Sequence, residues 1–158
     1  MQKRQFISAA LSVPAAFIAS KSIAKEAAPS LQGKLLDGST FSLVEQAGKV
    51  TVVQFWATWC GACVEELPDV QAFFDANKAK GLVMVSLAMD DEAKDVREWV
   101  AKKRYKLGFG WLPDFKSALG VTIKALPTFV VIGKNGQIAK QFRGGLNKDK
   151  FAEIAALL

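Results

Sequence analysis

Two rhythms of apolar and polar positions alternate along this chain. "GKVTVVQFWA" and "LVMVSLAM" are nearly continuous apolar runs rich in valine, as strands buried on both faces require. Between them, "CVEELPDVQAFFDANKAKG" carries Val64, Leu67, Val70, Phe73 and Phe74 at helical spacing, with Gly81 as its stop. "DDEAKDVREWVAKKRY" reads as a second helix, acidic in its first turn and basic in its last, which suits the helix dipole. Gly108 and Gly110 break the pattern, and "PDFKSALG" predicts a short helix ending at Gly120. "PTFVVI" and "QIAKQFRG" are strands joined by the turn "GKNG", and "NKDKFAEIAALL" is a closing helix capped by Asn147. Ahead of these, "LQGKLLDGSTFSL" places two apolar runs around Asp37-Gly38, a hairpin signal.

The predicted order is a hairpin followed by β-α-β-α-(α)-β-β-α. Strands separated by helices favour parallel pairing through right-handed crossovers. The last two strands, joined by a tight turn, must be antiparallel. The expectation is one α/β domain over residues 31–158, a mixed central sheet covered by helices.

The first residues follow another rule. "MQKRQ" is basic, "FISAALSVPAAFIA" is apolar, and "SKSIA" offers small residues at Ser22 and Ala24. That is the layout of a secretory signal. The apolar part is shorter than the roughly 20 residues a membrane span needs, and Pro14 interrupts it. Residues 1–24 are therefore expected to direct export and be removed, with an uncleaved anchoring helix as the alternative, and residues 25–30 form a linker. Three of the 21 basic residues (Lys3, Arg4 and Lys21) lie in this leader, and none of the 15 acidic ones does. Half of the +6 net charge thus belongs to the leader, and the basicity does not argue for nucleic-acid binding. The densest basic run, "KKRYK" at 102–106, has one aromatic and reads as a solvated helix end.

Candidate chemistry is concentrated in "WATWCGACVEELP". It holds Cys60 and Cys63, the chain's two cysteines, in a sequence with no histidine. A chain of 158 residues can bury a core without a staple, and so short a loop restricts the unfolded chain little. A closed zinc site needs four ligands, so a single chain cannot complete one from Cys and His, and only a metal shared between two chains remains. A copper site with an imidazole ligand is excluded by composition. A reversible redox pair fits best. Cys60 falls where a strand meets a helix, and free N–H groups with a partial positive charge stabilise a thiolate there. Such thiols titrate between about 3.5 and 7.5, against about 8.5 for a free cysteine. Cys63, one turn deeper, is within reach of the Cys60 sulfur, the arrangement that dithiol–disulfide exchange needs.

"FWATWCGAC" at a strand–helix boundary, with "LPTF" further on, resembles the thioredoxin superfamily. "CVEELP", "AMDDEAKDVREWVAKK" and "ALPTFVVIGKNGQIAKQFRG" are similar to its exported branch of TlpA, ResA and DsbE-type thiol-disulfide oxidoreductases, the last linked to cytochrome c maturation. The likeness covers residues 31–158. It implies a thioredoxin-like fold with an N-terminal β-hairpin and a helical insert. It gives Cys60 the role of attacking thiol and Cys63 that of resolving thiol. Pro127 takes the place of the family's cis-proline, and Leu126 offers its backbone to an extended substrate segment. Glu66 would manage the thiol protons, an exposed helix glutamate being the alternative, and Trp59 would shield the disulfide. The pair itself is the redox couple, so no metal or organic cofactor is expected. The implied partners are protein thiols or disulfides and an upstream membrane electron donor, with the chain a monomer in the bacterial periplasm.

Two departures from the family pattern stand out. Gln54 occupies the position near which cytosolic thioredoxins carry a buried acid, and Ala62 replaces the proline usual before the second cysteine. A peroxiredoxin-type peroxidase is a rival, although Thr58 lies two residues before Cys60 and not the usual three. A non-catalytic carrier or chaperone on the same scaffold is another.

Overall fold

The computed structural model describes residues 29–158, so the leader expected at 1–24 and most of the linker lie outside the described residues. In chain order the elements are β1 (Ser30–Leu35), β2 (Thr40–Ser42), β3 (Val50–Trp56), α1 (Gly61–Asn77), β4 (Leu82–Ala88), α2 (Ala93–Ala101), β5 (Gly108–Ala118), β6 (Thr128–Ile132), β7 (Ile138–Arg143) and α3 (Lys148–Ala155). The strands form one mixed sheet in the order β2-β1-β5-β4-β3-β6-β7. Every residue of β3 is buried, as its uninterrupted apolar run demands. β3 pairs in parallel with β4 and antiparallel with β6.

Both faces of the sheet are covered. Val50, Val52 and Trp56 of β3 pack with Leu67 and Val70 of α1 and Ile154 of α3. Their neighbours Val53 and Phe55 point the other way, onto Leu31, Phe41 and Phe115. This alternation is the two-residue period of a strand. Gln54, fully buried, accepts a hydrogen bond from Ser86 Oγ at 2.8 Å on the adjacent strand.

One predicted element is wrong. "PDFKSALG" is not a helix; it is the second half of β5. Gly108 and Gly110 do not break the chain but open that strand, which pairs in parallel with β4 and then antiparallel with β1. The two glycines facing Phe115 explain why. A Cβ on Gly110 would lie 2.5 Å from Phe115 Cε2, and one on Gly33 would lie 2.5 Å from Phe115 Cγ. Gly110 and Phe115 sit opposite Leu35 and Gly33, so β5 bulges between them. Pro113, which has no N–H to give a ladder, occupies the bulge. The segment mimicked a helix because a proline opened it and Gly120, with φ 70°, closed it.

This strand changes the topology. With a strand where a helix was expected, the chain leaves β5 at the end of the sheet where β3 and β4 finish. β6 therefore starts there, Thr128 opposite Phe55, and runs back antiparallel. The second helix is also shorter than its pattern: α2 ends at Ala101, and the basic run 102–106 follows it rather than forming its last turn. Tyr105 within that run stacks on Trp99, with ring centroids 6.4 Å apart.

Candidate active site

The carboxyl end of β3 leads straight into the cysteine pair. The Trp56 carbonyl accepts the Met89 N–H at 2.8 Å, and the chain then turns through residues 57–60, closed by Cys60 N–H to the Ala57 carbonyl at 3.2 Å. Cys60 has extended backbone (φ −85°, ψ 100°) and is the N-cap of α1. Its sulfur accepts the Cys63 backbone N–H at 3.3 Å, which satisfies one of the free donors of the helix start. Cys60 and Cys63 form a disulfide with Cα atoms 5.2 Å apart. Cys63 is fully buried in the core between α1 and the sheet, whereas Cys60 is only partly covered. Trp59 stands out from the turn, 70% exposed.

The same end of the sheet carries Leu126 and Pro127. Their peptide bond is cis. Thr128, the next residue, lies opposite Phe55, so the proline and the cysteine turn are both found where these two strands meet. Pro127 is buried, and its carbonyl accepts the Gly144 N–H at 2.8 Å. Leu126 is half-buried and packs, like Cys60, against the core cluster that contains Cys63.

Glu66 lies one turn beyond Cys63 on α1 and is half-buried. Its Oε1 accepts the backbone N–H of Leu146, in the loop between β7 and α3. Its Oε2 is buried without a partner. Burial pushes the Glu66 carboxyl above its ordinary range, against the Leu146 N–H and the charge of Lys150, which favour the ionised form. The loop that holds Glu66 is the loop whose Gly144 binds Pro127. Structure thus brings Cys60, Cys63, Glu66, Leu126 and Pro127 to one end of the sheet, with Trp59 on the surface above the turn. No group of three or more His, Cys, Asp and Glu among the described residues is placed to hold a metal ion.

Sequence reading passed over Asp90. The sequence pattern puts it in the acidic start of the second helix, yet it is buried and its carboxylate binds Thr58, two residues before Cys60. The available signal was its place at the end of an apolar run, directly beyond the strand.

A family model described as Redoxin matches residues 23–158. This chain belongs to the Redoxin family. Among its relatives, the thiol-disulfide oxidoreductase ResA of Bacillus thuringiensis subsp. konkukian is 30% identical over 133 residues, 83% of this chain and 75% of that protein. The sporulation thiol-disulfide oxidoreductase A of Bacillus subtilis is 31% identical over 124 residues, 76% of this chain and 74% of that protein. The crystal structure of a putative thiol:disulfide interchange protein DsbE from Chlorobium tepidum superposes with a TM-score of 0.72 at 27% identity, covering 83% of this chain and 95% of that one. These findings place this Redoxin chain in the thioredoxin-like branch that its motifs resembled, and its CxxC pair makes it an oxidoreductase by dithiol–disulfide exchange.

Proposed function

We propose that this chain is an exported reductant of disulfides in partner proteins. The observation that carries the reading is the asymmetry of the pair: the Cys60 sulfur, partly open, accepts the Cys63 N–H in the first turn of α1, and the Cys63 side chain lies buried behind it. In the reduced state the Cys60 thiolate attacks one sulfur of a partner disulfide. A mixed disulfide forms and one partner thiolate leaves. Glu66, whose raised pKa suits it to take a proton, accepts the proton of Cys63. The Cys63 thiolate then attacks Cys60, closing the Cys60–Cys63 bond and releasing the second partner thiolate. Two electrons pass to the partner, and the disulfide of the described structure is the product state.

Leu126 and Pro127, where β6 begins, would receive an extended partner segment by backbone pairing. The leader at 1–24 would deliver the chain to the periplasm, where a membrane electron donor returns it to the dithiol. No metal or organic cofactor enters the cycle, and the chain acts as a monomer. An apocytochrome awaiting haem is a partner of the right chemistry. The reading is tested by insulin reduction with the wild-type chain and Cys60→Ser. The variant is expected to be inactive; equal rates would overturn the proposal. Cys63→Ser should stall the mixed disulfide and retain the partner covalently.

A further inference from the structure

β4 ends at Ala88, and two residues later the chain buries a carboxylate. Asp90 is 6% exposed, although Asp91 and Glu92 beside it lie open to solvent. Both Asp90 carboxylate oxygens accept the Thr58 backbone N–H, each at 3.1 Å. Oδ1 also accepts the Thr58 hydroxyl. Asp90 is itself held: its carbonyl accepts the Trp111 indole N–H at 2.8 Å, and the preceding residue, Met89, donates to the Trp56 carbonyl at 2.8 Å. A buried carboxylate is costly unless its lone pairs are used. Here they are spent on one residue of the turn that presents Cys60.

Thr58 and Trp59 are the two central residues of that turn, which the Cys60 N–H closes onto Ala57. A turn gripped at its first central residue has little freedom in where its last residue emerges. The last residue is Cys60, whose sulfur must meet the Cys63 N–H. We infer that Asp90 is a positioning residue for the exchange reaction: by clamping Thr58 it sets the Cys60 sulfur on the amino end of α1 and turns Trp59 outward. The inference rests on the exchange reading above and adds to it a residue from the segment just beyond β4. Stabilisation at a helix end fades within one turn, and the attacking sulfur must be aligned with its target, so a small displacement is felt in the rate.

The test uses the full chain in its prereduced form, a small aromatic disulfide as probe, and equilibrium against glutathione. The variants are Asp90→Asn, Asp90→Ala, Thr58→Val and Thr58→Ser, with melting curves to follow the fold. Asparagine and alanine remove the same charge, but only the amide keeps an acceptor for Thr58. The gap between them therefore reads the clamp and not the charge. Asp90→Ala is expected to reduce the probe about tenfold more slowly than Asp90→Asn. Thr58→Val, which keeps the charge and loses the hydroxyl, is expected to fall about threefold below wild type. Thr58→Ser restores the hydroxyl and should restore the rate. The glutathione equilibrium should move toward the disulfide in the same order, because the reduced thiolate loses its support. Equal rates and equilibria for Asp90→Asn and Asp90→Ala overturn the inference. So does a Thr58→Val chain indistinguishable from wild type, and that variant decides alone if Asp90→Ala does not fold. A wild-type chain that cannot reduce the probe overturns the exchange reading itself, and this inference with it.

Discussion

Glu66 on α1 accepts the backbone N–H of Leu146, 80 residues further along the chain. Two residues before Leu146, Gly144 donates to the Pro127 carbonyl. One loop therefore joins the carboxylate below the cysteine pair to the cis-proline at the start of β6. The burial that raises the Glu66 pKa has a thermodynamic consequence. A carboxyl whose folded pKa exceeds its unfolded value near 4.5 binds its proton more tightly in the folded state. Its contribution to stability is complete below pH 4.5 and is lost as pH rises through the folded pKa. Glu66→Gln keeps an oxygen for Leu146 and removes the charge. We expect it to raise the melting temperature at pH 7, with the gain gone below about pH 4. In the same variant the second step of exchange should slow by about 10²-fold as its proton acceptor disappears. Melting at both pH values and single-turnover release of the partner thiol check the two outcomes. A gain over wild type no larger at pH 7 than at pH 4 would remove the argument from burial.

Much of this architecture was legible because burial on both sheet faces forces continuous apolar runs. β3 and β4 could hardly be read otherwise, and the 3.6-residue period of Leu67 and Val70 marked α1 equally well. Asn147 was recognisable as a cap by residue type alone, and its side chain accepts the Lys150 N–H. β5 was not legible. Its two halves pair with different strands across a bulge, so no single period runs through it. At the site, local sequence located the sulfurs and Glu66. It could not reveal that Asp90 faces Thr58, because that contact exists only once β3 and β4 lie side by side.

Gly110→Ala tests the reading of β5 as a strand shaped around Phe115. The added methyl meets Phe115 Cε2 at 2.5 Å and Leu87 Cδ2 at 2.9 Å, and both are side chains of the core. A destabilisation of about 1–3 kcal/mol in urea unfolding is expected, as for other overpacked cores. Disulfide exchange by the folded fraction should be unchanged, since the contact lies on the face of the sheet away from α1. A neutral substitution would mean that Phe115 is free to move aside.

Gln54 offers a sharper case, because it is a polar residue in the centre of an apolar strand. Ser86 Oγ donates to its Oε1, and its Nε2 has no partner. Ser86→Ala removes that donor and leaves the Gln54 oxygen buried and unpaired. The expected loss is about 1–3 kcal/mol. The double variant Ser86→Ala with Gln54→Leu should recover part of it, since two apolar groups need no partner. Denaturant midpoints of the two single variants and the double variant decide. Simple addition of the two single effects would show that the pair is not coupled.

Trp59 separates docking from chemistry. With its side chain 70% exposed above the turn, it contributes little to the core. Trp59→Ala should therefore leave stability within about 0.5 kcal/mol of wild type. An exposed aromatic beside a reactive sulfur is, however, a surface for a protein partner, and truncating such an anchor commonly costs more than about 1 kcal/mol of binding. We expect kcat/KM for a protein disulfide to fall about tenfold, through KM. The rate with a small aromatic disulfide, which needs no surface to dock on, should hardly change. Equal losses on both substrates would place Trp59 among the groups that tune the sulfur itself, and docking would then have to be sought around Leu126.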